Sequence, residues 1–293
     1  MKICALTITK DENIKYIYEW VDYHYNLGVD HFFILDNNSS DSKLNINDKR
    51  VTIIPFNDIQ FVKPQWIQIR FAYNYAIRYI FNLDYDYMIA IDPDEYFTSK
   101  YQSIKEYVQY EMINKDINCT RIRYNTYDDN NIIYEKDVDT MFNSFTTIQK
   151  KQRCTFNIFD NLSSGFKTII KIYPFNDYEN KEEVYFIHGP NFENNIKYSD
   201  IWQDPNVAAI NHYRLGCLEK YIKRKVKSQG FKIMDDNDRN IVSDYFSINA
   251  VTIEKIDAFY SICKENNVEL TNDEINTLEN FRNEYGNDLY SSL

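Results

Sequence analysis

The sequence predicts an α/β fold: a doubly wound, mostly parallel central sheet flanked by helices, with a C-terminal helical extension. Short apolar runs typical of buried strands alternate with stretches whose apolar residues recur at helical spacing. Polar, carboxylate-rich segments follow three of those runs, as expected where parallel strands end together at one edge of a sheet. No internal repeat or low-complexity linker interrupts the alternation.

The N-terminal part of the chain carries the clearest alternation, in the order strand, helix, strand, strand, helix, strand. From Ile14 to Tyr25 the apolar residues recur at helical spacing, and Gly28 follows as a natural helix cap. The strands are continuously apolar, which predicts burial on both faces. Strands are expected at 3–8, 31–35, 51–54 and 87–91, and helices at about 14–26 and 64–82.

The C-terminal part alternates less regularly, with Asn- and Asp-rich loops between its strands. A basic segment from Leu215 to about Gln229 predicts a helix, and beyond Asn237 we expect two helices packed on the outside. The lysines of the basic helix indicate either a solvated amphipathic face or a peripheral membrane contact through residues 219–227. Further strands are expected at 119–124, 167–173, 184–188 and 207–213.

The composition narrows the classes of partner. A formal charge of −11 excludes nucleic acid as the principal partner, because a phosphate backbone requires a basic surface. The five cysteines have no paired spacing, so we expect reduced, mostly buried thiols. The first strand starts almost at Met1, and no apolar run is long enough to span a bilayer. We therefore expect a soluble, cytoplasmic protein without a signal peptide.

The segment Asp92-Pro93-Asp94-Glu95-Tyr96 directly follows the apolar run 87–91. Pro93 ends the strand and sets a turn, which places carboxylates at the carboxyl end of a buried strand. Clustered carboxylates are electrostatically costly unless a cation lies among them, and oxygen ligands select hard ions such as Mg²⁺ or Mn²⁺. The pattern therefore predicts a site for a metal and a diphosphate. The alternative is a solvated acidic turn.

Two further polar segments, 7–12 and 36–41, also follow predicted strands. Since the carboxyl ends of parallel strands meet at one edge, we expect both segments to converge with the Asp92 turn. The chain has 6 glycines and neither a Gly-rich dinucleotide fingerprint nor a Walker P-loop. A nucleotide would therefore have to be held by side chains and a metal.

These motifs, in this order, resemble those of GT-A-fold glycosyltransferases of the family 2-like and family 92-like group. The first match is Thr9-Lys10-Asp11-Glu12, which resembles the group's KNE loop with Asp11 where Asn is usual. The next matches, to its EW…H…LGVD pattern and its DNxSxD motif, are Glu19-Trp20, His24-Tyr25, 27–30 and 36–41. The later matches, to its Q…AYN, DxDEF and NHYR…SLEEF…K motifs, are Gln68 with 72–74, 92–96, and 211–214 with Leu218, Glu219 and Lys225.

The resemblance implies a GT-A (Rossmann-like) domain over 1–235, with a nucleotide half of about 1–100 and an acceptor half of about 101–235. A helical extension over 236–293 completes the division. The activity implied is that of a metal-dependent, hexosyltransferase-type glycosyltransferase. Such an enzyme moves a sugar from a nucleotide-diphosphate donor, expected to be a UDP-sugar, to an acceptor hydroxyl with inversion. The acceptor would be a glycan, a lipid-linked molecule or a protein.

The resemblance also implies roles for individual residues. The catalytic candidates are Asp92, Asp94 and Glu95, and the expected ligands of Mn²⁺ or Mg²⁺ are Asp92, Asp94 and His212. Asp94 is expected to contact the metal directly, with Asp92 on the ribose or on a metal-bound water. The donor-binding set comprises Thr7, Glu12, Asp36, Asn38, Gln68, Asp92 and Lys225.

Other roles stay open at this point. His212 is either a ligand or a buried structural histidine, and His188 is a second candidate of the same kind. Arg70 is considered beside Gln68 for the nucleotide, and Lys220 and Lys223 beside Lys225 for the diphosphate. The general base is Glu95, which could instead only brace the loop, or one of two aspartates around the aromatic Trp202. Those aspartates are Asp200 and Asp204.

Two other classes of function compete with sugar transfer. One is a metal-dependent phosphotransferase or nucleotidyltransferase, and the other is a nucleotide-sugar-binding protein with a decayed site. Glu95 and Tyr96 do not fit the dehalogenase-type phosphatase pattern, and residues 7–12 lack the Gly-rich loop of sugar nucleotidyltransferases. The complete DxD motif and His212 argue against a decayed site.

Overall fold

The computed structural model describes residues 1–37, 39, 44–56, 65–147, 166–172, 185–186, 189–190, 204–214, 216–229, 240–247 and 249–286. The strands in these ranges are β1 (Ile3–Thr9), β2 (His31–Asp36), β3 (Val51–Pro55), β4 (Tyr87–Ala90), β5 (Glu95–Ser99), β6 (Cys119–Thr126), β7 (Phe166–Lys171), β8 (Tyr185–Phe186), β9 (Gly189–Pro190) and β10 (Ala208–His212). The α-helices are α1 (Ile14–Asn26), α2 (Gln65–Ile80), α3 (Ile104–Tyr107), α4 (Met141–Ser144), α5 (Leu218–Gln229), α6 (Ile241–Phe246), α7 (Ile253–Glu265) and α8 (Asn272–Gly286). A π-helix spans Val108–Ile113, and a 3-10 helix spans Glu135–Asp137.

Eight strands form one sheet in the order β3-β2-β1-β4-β7-β6-β10-β5. β1 pairs in parallel with β2 and β4, and β3 extends the parallel half by pairing with β2. The later strands are antiparallel, because β7 runs against both β4 and β6 and β10 runs against β5. The predicted α/β class is confirmed, with the parallel pairings in the N-terminal strands and antiparallel pairings added by the later ones.

Strands β1, β2 and β4 are buried along most of their length because they are mainly apolar, whereas β3 is only partly buried. Leu6 of β1, Leu35 of β2 and Met88 of β4 belong to one core cluster, which also contains one face of α2. That face consists of residues at helical spacing: Ala72, Tyr73, Ala76, Ile77 and Ile80. Burial of this face sets the position of the helix against the sheet.

Helix α1 has the bounds that the sequence predicts. It begins after Asn13, whose side chain accepts a hydrogen bond from the Lys15 N–H and so caps the first turn. Its last residue is followed by Leu27 and by Gly28, which has a φ of +98°. A residue with a Cβ would be strained there, so the glycine stops the helix and turns the chain into β2.

Two compact units make up the chain. The first comprises Met1–Asn125 with Arg153–His212, and the second comprises Thr126–Gln152 with Tyr213–Leu293. The sequence-based division at residue 235 follows chain order, whereas in the folded chain α5 belongs to the same unit as the later helices. The core of the second unit combines residues of α5, α6, α7 and α8.

A buried charged cluster supports the second unit. The Lys255 ammonium lies 2.8 Å from each carboxylate oxygen of Asp129, and both side chains are almost fully buried. The Tyr245 hydroxyl donates to the same carboxylate, and the Asp129 N–H donates to Asn249 Oδ1 at 2.9 Å. These hydrogen bonds tie the segment around Asp129 to helices α6 and α7.

The structure corrects one expectation for the C-terminal region. Three helices, α6, α7 and α8, occupy it where two were expected. The boundary between α6 and α7 is hard to recognise in the sequence, because no glycine or proline separates the two helices. Their first turns are instead capped by the side chains of Asn240 and Thr252.

The cysteines within the described ranges behave as expected. Cys4, Cys119, Cys217 and Cys263 are free and buried, while Cys154 lies outside the described residues. In the part of the chain that the structure describes, no helix is both long enough and apolar enough to cross a bilayer.

We expect Asp129→Asn to lower the free energy of unfolding by about 3–5 kcal/mol, because it leaves the Lys255 ammonium buried beside a neutral partner. The double variant Asp129→Asn/Lys255→Met should recover part of that loss, since it removes the buried charge as well. Urea unfolding of both variants measures the effect. Asp257→Asn, at an exposed ion pair with Arg282, is the matched control and should change stability little. Equal losses from Asp129→Asn and Asp257→Asn would contradict this account.

Candidate active site

Three polar segments meet at the carboxyl edge of the parallel strands, as the sequence predicts. Thr9 at the end of β1 lies opposite Asp36 at the end of β2, and the Asn37 N–H donates to the Thr9 carbonyl at 2.8 Å. The Ile91 N–H donates to the Leu6 carbonyl at 3.1 Å, which brings the end of β4 to the same edge. This is the edge at which open α/β sheets bind their ligands.

The acidic segment Asp92–Glu95 is a closed turn. The Glu95 N–H donates to the Asp92 carbonyl at 3.0 Å, and the Asp92 N–H donates to Glu95 Oε2 at 2.7 Å. The Glu95 side chain is fully buried, so it braces the turn from within. The solvated acidic turn considered from the sequence does not describe this geometry.

A buried lysine supplies the positive charge within the turn. Lys167 Nζ lies 2.9 Å from Asp92 Oδ2 and 3.1 Å from Glu95 Oε2, and the lysine side chain is 3% exposed. The Tyr73 hydroxyl donates to Asp92 Oδ1 at 3.3 Å. Lys167 reaches the turn because the antiparallel pair Ala90–Thr168 places it beside the residue that precedes Asp92.

The electrostatics of these groups follow from burial and from their partners. Burial lowers the pKa of Lys167, but the Asp92 and Glu95 carboxylates outweigh this effect and raise the pKa well above its ordinary value. Burial raises the pKa of Glu95 to about 8, the Lys167 ammonium opposes the rise, and the Asp92 and Asp94 carboxylates add to it. Lys167 is therefore the stable positive charge of the turn at neutral pH.

His212 faces the acidic turn from the neighbouring strand. In the β10–β5 pairing it lies opposite Glu95, and its Nε2 is 3.9 Å from Asp94 Oδ1 and 3.9 Å from Glu95 Oε1. The Tyr124 ring lies against the His212 ring, with centroids 4.8 Å apart. The structure thus places two of the three ligands that the sequence proposes for a metal, Asp94 and His212, beside each other, while the third, Asp92, pairs with Lys167.

The side chains at this turn supply some of the ligands that a divalent metal ion requires. Among the described residues, no group of three or more His, Cys, Asp or Glu side chains is arranged to hold a metal by itself. Asp94 and His212 present an oxygen and an imidazole nitrogen towards each other, whereas Asp92 is paired with Lys167. Glu95 Oε1, which faces His212, has no hydrogen-bond partner within the described part of the chain. A carboxylate completed by water and substrate phosphates is a known way of holding Mg²⁺ or Mn²⁺, whereas an imidazole ligand is more typical of transition metals.

Two residues of the EW…H motif brace the acidic turn from α1. The Trp20 indole N–H donates to the Glu95 carbonyl at 3.0 Å. The Phe97 N–H donates to His24 Nε2 at 3.2 Å, so the proton of neutral His24 is on Nδ1, which is 2.8 Å from the Trp20 carbonyl. Both side chains are fully buried. Their hydrogen bonds indicate a structural role for this part of the motif.

The proposed nucleotide residues occupy the edge beside the turn. Asp36 Oδ1 accepts from the Ser39 N–H at 3.1 Å and from its hydroxyl at 2.6 Å, and Ser39 Oγ accepts from the Asp11 N–H at 3.0 Å. The buried hydroxyl of Thr7 has no hydrogen-bond partner among the described residues. Glu12 Oε1 accepts from the adjacent Asn13 N–H at 3.2 Å.

The remaining candidates are outside this cluster or outside the described atoms. Lys223 pairs with Glu135 and Glu219 at 3.2 and 2.6 Å within the second unit. Asp204 is exposed and accepts from the Asn206 N–H in the turn before β10. Nothing can be said of the side chains of five other candidates, because the structure does not describe them: Asn38, Gln68, Arg70, Trp202 and Lys225. The same holds for His188 and Asp200.

Lys167 is the functional candidate that sequence reasoning missed. Its strand was predicted, but its side chain was given no role. The available signal was the position of Lys167 within a strand that is buried from Phe166 to Ile170. A lysine on the buried face of a strand requires a carboxylate partner, and the nearest acidic motif in the fold is the Asp92 turn.

An open α/β sheet with polar side chains at the carboxyl ends of its strands is typical of proteins that bind a ligand at that edge. The family is shown by comparison: the model of glycosyltransferase family 92 matches residues 1–234. The chain belongs to glycosyltransferase family 92, which confirms the glycosyltransferase class that the motifs predict.

A solved structure gives a weaker likeness. The protein in the crystal structure of S. aureus TarS is 11% identical to this chain in sequence. The structural match covers 91% of this chain, with a TM-score of 0.40. The match covers 48% of the TarS chain, so this chain spans about half the length of TarS. No curated protein sequence matched the chain.

We expect His24 to make stability depend on pH. Burial lowers the pKa of folded His24 to about 4, against the opposing hydrogen bond to Trp20, whereas an unfolded histidine titrates near 6.5. The unfolded state therefore binds the proton first, and the stability present above pH ~6.5 is lost as the pH falls towards ~4. Between about pH 7 and about pH 5 this residue should cost roughly 2 kcal/mol of unfolding free energy.

The matched variant is His24→Gln, which keeps an acceptor for the Phe97 N–H but does not titrate. Urea unfolding at the two pH values should give a smaller loss for the variant than for the wild type. Equal losses in both proteins would show that His24 is not the group responsible.

Proposed function

We propose that this protein transfers a hexose from a UDP-sugar to an acceptor hydroxyl, with Mn²⁺ or Mg²⁺ bound beside the acidic turn. The observation that carries the proposal is the approach of His212 to Asp94 and Glu95 at the carboxyl edge of the parallel strands. The family assignment supports sugar transfer, and the edge supports a nucleotide donor because doubly wound sheets bind nucleotides there.

Asp94 and His212 would hold the ion. When bound, the ion supplies positive charge to the diphosphate that leaves the sugar. Asp36, Thr7 and Glu12 would line the pocket of the base and ribose at the ends of β1 and β2.

The acceptor hydroxyl must lose its proton in the proposed inverting transfer. Glu95 is fully buried, and its Oε2 accepts from the Asp92 N–H and pairs with Lys167. These interactions favour the bracing role over that of a base that touches the acceptor. Asp204 lies in the turn before Ala208, the first residue of β10, and the five residues of this strand place Ala208 roughly 13 Å from His212. That separation argues against Asp204 as the base.

The proposal predicts metal-dependent binding of UDP. UDP with Mn²⁺ at about 100 times the dissociation constant should raise the melting temperature by about 5 °C, and UDP with a chelator much less. Asp94→Ala should abolish the metal-dependent part, because it removes the carboxylate proposed to bind the ion together with His212. Asp84→Ala, at the opposite end of β4, is the matched control and should keep the full shift. A chelator-resistant shift would count against the metal.

Hydrolysis of the donor separates a transferase from a binding protein with a decayed site. UDP-glucose, UDP-galactose and GDP-mannose are incubated with the wild-type chain and Mn²⁺, and release of the free nucleoside diphosphate is measured. Release from a UDP-sugar that stops with Asp94→Ala supports the proposal. Binding of UDP with no release from any donor would favour the binding protein.

A further inference from the structure

Lys167 occupies a position that the proposed chemistry does not yet use. Its ammonium bridges Asp92 Oδ2 and Glu95 Oε2, at 2.9 and 3.1 Å, inside the motif that is expected to bind the metal. The lysine comes from β7, a strand that joins the sheet antiparallel to β4. The turn therefore contains a cation supplied by the protein itself.

The Lys167 ammonium offsets the negative charge of the turn. Asp92, Asp94 and Glu95 bring three carboxylates within four residues, and Glu95 is fully buried. Such carboxylates repel one another and require positive charge close by. Lys167 supplies that charge to Asp92 and Glu95, and it holds both side chains in defined positions whether or not an ion is present.

The same interactions give Asp92 and Asp94 different roles. A carboxylate oxygen that accepts a charge-assisted hydrogen bond from a buried lysine is oriented towards that lysine. Asp92 is held in this way by Lys167 and, through its other oxygen, by the Tyr73 hydroxyl at 3.3 Å. Asp94 instead faces His212 from the far side of the turn, at 3.9 Å.

We propose that Lys167 is a positioning residue for sugar transfer: it binds Asp92 and Glu95 and thereby directs the cation of the donor to Asp94 and His212. The inference rests on the proposed function, since it concerns the same metal and the same donor. It goes beyond that function by removing Asp92 from the direct ligands and by assigning a role to a residue outside every motif of the N-terminal sheet edge.

A merely structural role for Lys167 makes a different prediction. If the ion pair only stabilised the fold, its loss would lower the melting temperature and weaken every ligand. If Lys167 competes with the metal for Asp92, its loss frees that carboxylate, and the affinity for Mn²⁺ rises while turnover falls. The two effects have opposite signs, so metal affinity distinguishes the roles.

The experiment uses Lys167→Met in the full chain, because methionine keeps the length of the side chain and removes its charge. Calorimetric titration of Mn²⁺ in the presence of saturating UDP should show an affinity on the order of tenfold higher than in the wild type, because a positive charge close to the ion has been removed. Hydrolysis of the UDP-sugar should lose on the order of tenfold in kcat with a smaller change in KM. Lys167→Arg, which keeps the charge, should restore the wild-type affinity for Mn²⁺.

Lys171→Met is the matched control, since Lys171 is exposed on the same strand four residues away, and it should leave both measurements unchanged. A second pair of variants addresses the case in which Lys167→Met does not fold. Asp94→Asn should weaken Mn²⁺ binding at least about tenfold more than Asp92→Asn does, because only Asp94 is a direct ligand in this scheme. Equal losses from the two variants would overturn the inference.

The outcomes also separate the inference from the proposed function. A wild-type chain that binds UDP with Mn²⁺, with affinity that Lys167→Met leaves unchanged or weakens, retains the proposed function and overturns the inference. If the wild-type chain shows neither a melting-temperature shift nor binding heat with Mn²⁺ and UDP together, both the proposed function and the inference are overturned.

Discussion

The burial of a carboxylate is the constraint on which the site depends. Glu95 is fully buried at the start of β5, and a buried carboxylate requires partners that offset its desolvation. The Asp92 N–H and the Lys167 ammonium provide them, and the Trp20 indole holds the carbonyl of the same residue. Two elements outside β5 therefore hold this residue: α1 binds its carbonyl through Trp20, and β7 binds its side chain through Lys167. The acidic turn has a defined shape because the carbonyl and the Oε2 atom of Glu95 are both held by these interactions.

This arrangement changes how the motifs of the family are interpreted. Trp20 and His24 belong to a motif but are fully buried, and each contacts backbone of β5. They act on the site by fixing the strand that begins with Glu95. Asp94 and His212 instead approach each other within 3.9 Å, and in the proposed function they bind the metal of the donor. A motif read from sequence alone does not separate residues that brace the turn from those that face the donor.

The local part of the fold could be predicted from the sequence. The bounds of helix α1 could be predicted because its apolar spacing and Gly28 are local signals, and the buried strands β1, β2 and β4 are mainly apolar runs. The antiparallel pairing of β7 with β4 could not be predicted, because strand partners are chosen by tertiary interactions. Lys167 lies 75 residues from Asp92 in sequence, so the ion pair that organises the turn had no local signature.

The second compact unit is assembled from two separated stretches of chain. Residues 126–152 and 213–293 contribute to it together, and the buried pair of Asp129 and Lys255 joins the two stretches. The C-terminal helices are thus not an appendage that follows a finished domain. Anyone who grafts this helical unit onto a related enzyme, or trims it away, would have to transplant or redesign both stretches at once.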